Sequence, residues 1–215
     1  MTTTTMTASA RGVRAIEAAA EGLDRLRRAL RAAPLRDAFE AAVETILRCD
    51  GRVIVVGVGK SGHVGAKLAA TFSSTGTPAH FVHPTEASHG DLGMIRPDDV
   101  VVAASWSGET RELHDIVAYT RRFRVPLIAA TGGGDSMLAR AADVALVLPA
   151  APEACPHNLA PTTSTTMLLA LGDALAVTLL QCRGFTAHDF RELHPGGKLG
   201  EQLKTVSSLM ITGAM

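Results

Sequence analysis

Short apolar runs alternate with longer amphipathic segments through the middle of the chain. Most of the intervening segments have helical spacing. Strands that are apolar on both faces and alternate with helices predict a parallel sheet covered on two sides. We therefore expect an α/β fold, a three-layer αβα sandwich around a five-stranded parallel sheet in a doubly wound order. The predicted strands are Val53–Val56, Ala79–Val82, Val100–Ala104, Val125–Ala130 and Val144–Leu148.

Further helices are predicted at both ends of this pattern. Arg11–Arg31 is rich in alanine, leucine and arginine with helical spacing, and a second helix is expected over Leu35–Arg48. After a proline-rich loop at 149–161, the threonines of 162–166 would cap a long apolar helix, Met167–Cys182.

The first predicted strand ends in a glycine-rich turn, Gly57–Gly62, which carries Lys60 and Ser61. A helix is expected behind it over His63–Ser73. Glycines that let a ligand approach, free amides at a helix N-terminus and a lysine together favour a bound anion. The glycines match G-x-G-x-x-G, but no carboxylate ends the second strand, where a dinucleotide would need one. A P-loop would need a glycine at Ile54, so a phosphate monoester such as a sugar phosphate fits best. A plain tight turn is the alternative.

A second polar turn, Ser105–Thr110, follows the third strand. Ser105, Ser107 and Thr110 surround a glycine at the start of another predicted helix, which again suits a phosphate. One such loop is explained equally well as a capping turn. Two of them on neighbouring strands of one parallel sheet indicate an anion site at the carboxyl ends of the strands.

Composition narrows the function classes. The 215 residues fit one domain, and 21 basic residues balance 21 acidic ones, which argues against a broad grip on nucleic acid or an anionic membrane. Cys49, Cys155 and Cys182 are isolated, with neither metal spacing nor a disulfide framework, which suits a reducing cytoplasm. We expect no membrane span and no signal peptide. Residues 1–10 are expected to be a disordered tail.

Several longer motifs resemble one family, the sugar isomerase (SIS) domain of D-arabinose 5-phosphate isomerases. The resemblance covers about residues 35–212. It implies a flavodoxin-like strand order and a single SIS domain over residues 11–215, including the N-terminal helices. The motifs are GVGKSG (57–62), STGTPAHFVHPTEASHGDLGM (74–94), SxSGET (105–110), EACPxxLAPTxSTT (153–166), GDALAV (172–177), RGFTxxDF (183–190) and HPGGKLG (194–200).

The resemblance also implies a reaction, the interconversion of D-arabinose 5-phosphate and D-ribulose 5-phosphate at the entry to Kdo synthesis and lipopolysaccharide. It implies a cytoplasmic homotetramer with active sites shared between subunits. Such an isomerase opens the sugar ring and moves a proton between C1 and C2 through an enediol(ate). It needs acid/base groups near neutrality, an oxyanion stabiliser and a phosphate anchor, but no redox cofactor.

By resemblance, the catalytic positions are Lys60, Glu112, Glu153 and His194. Glu153 and His194 would share proton transfer and ring opening, with their individual roles open. Lys60 would steady negative charge, and Glu112 would orient Lys60 or a hydroxyl. From the residues alone, Glu112 reads as a surface carboxylate and Glu109 is an equally plausible choice.

The segment 76–93 carries further polar candidates. Gly76, Thr77, His83 and His89 resemble substrate-contacting positions of the family, in addition to Ser61 and the second loop. His83 also resembles a position that can take zinc. Two histidines without a carboxylate or cysteine at ligand spacing are weak metal evidence, so we expect any zinc to be inhibitory and not catalytic.

The chain departs from the family pattern at two places near these residues. Trp106 stands where a small polar residue, commonly asparagine, is usual. His157 and Asn158 replace the commoner Leu-Gly beside Glu153. Both departures lie where substrate preference could shift. Many family members also continue into a pair of CBS regulatory domains, whereas this chain stops at Met215 and is expected to lack them, as a natural short form or a trimmed chain.

Two other functions compete with the pentose phosphate isomerase. One is an isomerase of another phosphosugar, such as a hexulose or heptose phosphate, which Trp106 keeps open. The other is a non-catalytic sugar-phosphate-binding regulator built on the same fold. The joint presence of Lys60, Glu112, Glu153 and His194 favours catalysis over such a sensor.

Overall fold

The computed structural model describes residues 6–194. Its five strands form one parallel sheet in the order β2-β1-β3-β4-β5. This is the doubly wound, flavodoxin-like order, whose direction switches between β1 and β3. The prediction of the fold is confirmed. The strands are β1 Val53–Gly57, β2 Ala79–Val82, β3 Val100–Ala104, β4 Leu127–Thr131 and β5 Val144–Val147.

Helices cover both faces of the sheet. Side chains alternate between the two faces, so Val53 and Val55 face one helical layer while Ile54 and Val56 face the other. This burial on both sides explains why the strands are continuously apolar. The helices are α1 Ala8–Ala29, α2 Leu35–Leu47, α3 Gly59–Ser74, α4 Pro84–Ala87, α5 His114–Phe123, α6 Met137–Ala141, α7 Thr163–Cys182 and α8 Ala187–Leu193, with 3-10 turns at Asp91–Met94 and Arg111–Leu113.

The N-terminal helix α1 starts earlier than predicted. The Thr7 side chain accepts a hydrogen bond from the Ala10 amide at 3.2 Å and caps the helix. The predicted disordered tail, residues 1–10, is therefore wrong at residues 8–10, while residues 1–5 lie outside the described part. Helix α1 packs on α7 through its second half, where a Cβ at Gly22 would overlap the Thr163 side chain.

Two other boundaries differ from the predictions for local reasons. Helix α3 starts at Gly59, so the predicted loop residues Lys60 and Ser61 belong to its first turn. Strand β4 starts at Leu127, because the Val125 amide bonds the Thr120 carbonyl at 3.0 Å and closes helix α5.

Helix α7 is long and apolar enough, by length and composition, to cross a membrane. The sequence analysis expected no segment of that kind. In the fold, α7 packs against α1, α2 and α3. Met167, Leu171, Leu175 and Leu179 are each at most 2% exposed. Its apolar character therefore reflects its place as a core helix.

A buried ion pair ties the amino edge of the sheet, opposite the polar turns. The Asp99 carboxylate accepts bonds from the Arg52 guanidinium, at 3.1 Å to Oδ2, and from the backbone amides of Arg52 and Arg96. Burial opposes ionisation of Asp99, but the bonds from Arg52 and Arg96 outweigh it, so the pKa of Asp99 lies below its ordinary value. This carboxylate fixes the connection into β1.

Candidate active site

The N-terminus of α3 presents unbonded amides at the carboxyl end of β1. Its N-cap, Val58, is extended and has no side chain that can cap the helix. The backbone N–H groups of Gly59, Lys60 and Ser61 find no acceptor within residues 6–194. Because the helix dipole adds partial positive charge there, this turn is suited to an anion.

The strand-to-helix turn is tight enough to require glycine. A Cβ on Gly62 would lie 2.6 Å from the Gly57 carbonyl oxygen, closer than real Cβ atoms come. The glycine spacing noted in the sequence therefore sets the close start of α3 behind β1. It leaves the Lys60 side chain exposed, and no carboxylate within residues 6–194 forms an ion pair with it.

A cavity of about 200 Å³ adjoins this turn. Its polar lining residues are Lys60, Ser61, Ser164 and Thr165. Its apolar lining residues are Val58, Trp106, Ala130, Leu148, Pro161 and Leu168. We call this space the cradle cavity. It combines an anion-binding corner with an apolar surface, as small-molecule sites commonly do.

The second loop, Ser105–Thr110, is held together by its own side chains. The buried Ser105 hydroxyl lies 2.7 Å from Thr110 Oγ1 and accepts a bond from the Gly108 amide at 3.0 Å. Ser107 is exposed, although its hydroxyl accepts from the Glu109 amide at 3.2 Å. Of the three hydroxyls expected at a phosphate, Ser105 and Thr110 thus shape the loop, and Ser107 faces outward.

The sequence could not choose between Glu109 and Glu112, and the structure gives the two residues different surroundings. Glu109 Oε1 accepts a hydrogen bond from the Met137 amide at 2.8 Å and so anchors the start of α6. Glu112 is exposed in the 3-10 turn. Within residues 6–194 it makes no ion pair with Lys60, so the expected orientation of Lys60 by Glu112 is not seen in the single chain.

Glu153 lies at the N-terminus of α7. Its Oε2 accepts from the Thr162 amide at 2.7 Å, the Thr162 hydroxyl at 3.0 Å and the Ser164 amide at 3.3 Å. The helix is therefore capped by Glu153, and the threonine cap hydroxyls predicted for it do not serve this role. Oε1 of Glu153 has no donor within the described residues, which leaves it available to a ligand.

The same bonds set the ionisation of Glu153. Burial disfavours its charged form, but hydrogen bonds from Ser164 and Thr162 outweigh that effect, and the pKa of Glu153 lies below its ordinary value. Glu153 is thus a carboxylate at neutral pH. This direction leads away from the neutral range expected of an acid/base group of the reaction, and the catalytic role of Glu153 stays a prediction.

Ser164 joins the two candidate residues that the chain brings together. It lines the cradle cavity beside Lys60 and Ser61, and its amide donates to Glu153. Glu153 itself lines a separate cavity of about 630 Å³, together with Arg11 and Arg14 of α1. From the sequence, Ser164 and Thr165 were predicted only as part of a capping run. The hydroxyl-rich start of a buried helix was the signal that could have indicated a place at the cavity.

His194 lies elsewhere. It follows α8, where its ring stacks on Phe190 with centroids 4.0 Å apart and its Nδ1 lies 2.8 Å from the Phe190 carbonyl oxygen. It does not line the cradle cavity. Within the described chain, Ser164 connects Glu153 to the cavity that holds Lys60, and neither His194 nor Glu112 lines that cavity.

Gly76 and Thr77 precede β2 and so lie at the amino edge of the sheet, opposite the cradle cavity. Gly76 packs against Phe185, whose ring a Cβ there would overlap. Thr77 is 2% exposed, and its hydroxyl has no hydrogen-bond partner in the described chain. A substrate in the cradle cavity of the same chain cannot reach either residue.

The two candidate histidines follow β2. His83 Nδ1 accepts a bond from the Thr85 amide at 3.3 Å and caps α4, while His89 is exposed. Within residues 6–194, the only three-residue group of potential metal ligands is His188, Asp189 and Glu192 on α8, and it excludes His83. Zinc binding at His83 stays a prediction.

Comparison with known proteins identifies the family of this chain. The SIS domain family matches residues 46–178, and the chain belongs to that family. The arabinose 5-phosphate isomerase KdsD of Escherichia coli K12 is 57% identical over 176 residues, which are 81% of this chain and 54% of that relative. KdsD of Pseudomonas aeruginosa PAO1 is 57% identical over 171 residues, 80% of this chain and 52% of that one. The chain thus spans about half the length of these curated relatives.

A solved structure of E. coli CFT073 c3406 in complex with arabinose 5-phosphate has the same fold. It superposes with a TM-score of 0.83 at 38% sequence identity, covering 88% of this chain and 100% of that one.

Proposed function

We propose that this chain is an aldose–ketose isomerase that interconverts D-arabinose 5-phosphate and D-ribulose 5-phosphate. The observation that carries the proposal is the uncapped N-terminus of α3 beside Lys60, in a cavity whose lining residue Ser164 donates its amide hydrogen bond to the Glu153 carboxylate. The identity to arabinose 5-phosphate isomerases and the likeness to a structure in complex with arabinose 5-phosphate support the pentose phosphate as substrate.

The chemistry follows from these groups. The phosphate would bind the amides of Gly59, Lys60 and Ser61, with Ser107 as an exposed hydroxyl at the neighbouring loop. Oε1 of Glu153, which accepts no hydrogen bond from the part of the chain that the structure describes, would remove the C2 proton of the open-chain aldose. The electron pair then forms the C1–C2 double bond and leaves negative charge on O1. Protonation at C1 and O1, with loss of the O2 proton, gives the ketose, and Lys60 stabilises the anionic state.

His194 and Glu112 would complete the site from a second subunit. Their separation from the cradle cavity within one chain supports a homotetramer with shared active sites. His83 and His89 belong to the same proposal: neither lines the cradle cavity of its own chain, so their contact with substrate would come from a neighbouring one. Gly76 and Thr77, which are packed inside their own chain, would act only by shaping the start of β2. In the cytoplasm this enzyme would supply D-arabinose 5-phosphate for Kdo synthesis.

The test is an isomerisation assay with D-arabinose 5-phosphate beside hexose and heptose phosphates. We expect turnover of the pentose that falls at least about 100-fold in Lys60→Met and His194→Gln, because each removes a proton-transfer or charge-stabilising group. His188→Gln, which replaces an exposed histidine of α8, should keep full activity. Tight binding of one sugar phosphate without turnover of any would instead identify a sensor.

No cofactor is required by this chemistry, and zinc is proposed to inhibit at His83. Turnover should survive a chelator, and added Zn²⁺ should reduce it in the wild type but not in His83→Ala. His188→Ala is the matched control, because His188 belongs to the potential ligand group on α8. Loss of inhibition in His188→Ala alone would move the zinc site to that helix.

An isomerase of another phosphosugar remains the second candidate. Trp106 is the reason to test it, because a large apolar ring lines the cavity at a position where the family commonly has a small polar residue, so the sugar contact there differs from the family's. The same substrate panel decides between the two.

A further inference from the structure

Trp106 is held in one place at the wall of the cradle cavity. Its carbonyl oxygen accepts hydrogen bonds from the Gly132 amide at 2.9 Å and the Thr131 hydroxyl at 3.2 Å. Its ring packs so closely on Gly132 that a Cβ there would lie 2.9 Å from the indole. The residue is nevertheless 36% exposed, so one part of the ring is packed and another part is open to a ligand.

The residues that line the cavity fall into a charged, polar set and an apolar set. Positive charge and free amides are concentrated at Lys60 and Ser61, the anion-binding corner. The indole continues the apolar wall formed with Leu148 and Leu168. A sugar phosphate is itself divided in this way, because its phosphate is charged while the carbon chain has C–H groups that pack on an aromatic face.

We propose that Trp106 is the sugar-contacting wall of this site and a determinant of which phosphosugar chain length is accepted. The inference rests on the proposed function. The phosphate lies at Lys60 and Ser61, and the carbon chain lies against the indole. A fixed ring limits the space beyond the pentose, because Gly132 and Thr131 prevent the loop from retreating.

The expected effect of Trp106 on substrate selectivity can be estimated from apolar pockets in other enzymes. A pocket of this kind distinguishes substrates that differ by one carbon group by about 10- to 200-fold in kcat/KM. Replacing the indole by a methyl group should therefore remove about tenfold or more of the preference for a pentose phosphate over a hexose phosphate. A phenylalanine ring should keep most of that preference.

Binding is measured first, by tryptophan fluorescence. Trp106 is the only tryptophan of the chain, so its emission, excited selectively over Tyr119, reports on this wall alone. D-Arabinose 5-phosphate should change the emission saturably, at concentrations that match its KM. Inorganic phosphate should bind the corner with a much smaller change, and D-arabinose without phosphate should cause none. Full turnover with unchanged emission would overturn the inference, as would an equal change with phosphate alone.

Selectivity is measured second, in Trp106→Ala and the matched Trp106→Phe. The ratio of kcat/KM for pentose over hexose phosphate should fall at least about tenfold in Trp106→Ala and stay within about threefold in Trp106→Phe. An unchanged ratio in an active Trp106→Ala enzyme would contradict the inference while leaving the isomerase intact. Absence of wild-type turnover, with a pentose-dependent emission change, would instead contradict the proposed function and keep Trp106 as the sugar contact.

Discussion

The Glu153 carboxylate and the Thr162 amide are joined by a 2.7 Å hydrogen bond that closes the N-terminus of α7. One oxygen of the carboxylate, Oε2, accepts this bond and those from the Thr162 hydroxyl and the Ser164 amide, while Oε1 accepts none from residues 6–194. The residue proposed to move a proton is therefore also a helix cap. Its structural and chemical roles reside on different oxygens, so they can be separated by substitution.

Two substitutions separate them. Glu153→Gln keeps an oxygen that can accept from the amides but cannot remove a proton, so its unfolding free energy should stay within about 0.5 kcal/mol of wild type while activity is lost. Glu153→Ala loses the cap as well and should cost about 1 kcal/mol of stability. Chemical denaturation and the isomerisation assay measure both. Full activity in Glu153→Gln would leave Glu153 as a cap only.

The pH profile follows from the lowered pKa of Glu153. The ordinary pKa of a glutamate is about 4.3, and a carboxyl whose pKa is lowered stays ionised at every pH above that value. It becomes protonated, and stops acting as a base, only as the pH falls further. Any fall of kcat/KM between about pH 6 and 7 must then come from another group. We expect the apparent pKa of that fall in kcat/KM to be the same in Glu153→Asp as in the wild type. A limb near neutrality that shifts in Glu153→Asp would contradict the assignment.

Asn158 explains how the chain tolerates one departure from its family. Its φ is 54°, a left-handed conformation that asparagine adopts more easily than most residues, and its side chain accepts a bond from the Glu153 amide at 2.7 Å. Asn158→Gly should keep the loop but lower kcat several-fold, since Glu153 loses a positioning contact. Asn158→Ala should add about 1 kcal/mol of strain. Kinetics and thermal denaturation of both variants test this, and equal stability of the two would contradict it.

The second loop gives a prediction about glycine. Gly108 has a φ of 69°, and a Cβ there would overlap the Ser136 side chain. Gly59 has a φ of 57° with no atom within 4 Å of the added Cβ. Both alanine variants carry backbone strain of about 1 kcal/mol, but only Gly108→Ala adds a clash, and it should be the less stable by a further 1–3 kcal/mol or so. Denaturant midpoints measure the difference. Equal losses of stability in the two variants would show that the loop moves to relieve the clash.

The Arg52–Asp99 ion pair should contribute to stability and not to catalysis. Asp99→Ala leaves buried amides and a guanidinium without their acceptor, and should cost about 3 kcal/mol. Asp173→Ala, which breaks the exposed ion pair with Lys67, should cost less than about 1 kcal/mol. Activity per folded molecule should be unchanged in both variants. Comparable losses of stability would show that burial of the Asp99 pair has no effect.

The sheet could be predicted from sequence because its strands are buried on both faces, as in Val53–Val56, which makes each a recognisable apolar run. The strand order followed from alternation with helices and from the family resemblance. The glycine turn at 57–62 was recognisable because the required residue types are adjacent in the chain, and its use as an anion site stays a prediction. Local spacing was enough for these features.

The remainder depended on contacts between distant segments. Sequence could not choose between Glu109 and Glu112, because the choice rests on the Met137 amide, 28 residues from Glu109. Nor could it place Thr77 at the opposite edge of the sheet from Lys60, since both occur in motifs of the same family. The capping of α7 by Glu153 likewise depends on how the proline-rich loop folds back.

The most direct test of the central claim is the isomerisation of D-arabinose 5-phosphate in D₂O, followed by NMR for wild type and Glu153→Gln. Wild-type enzyme should form D-ribulose 5-phosphate that carries solvent deuterium at C1, because a proton held on the base between its removal from C2 and its return to C1 can exchange with D₂O. Glu153→Gln should be folded, bind the sugar phosphate and neither turn it over nor exchange its C2 proton. Undiminished turnover in Glu153→Gln would contradict the account, because that variant has no base at this position.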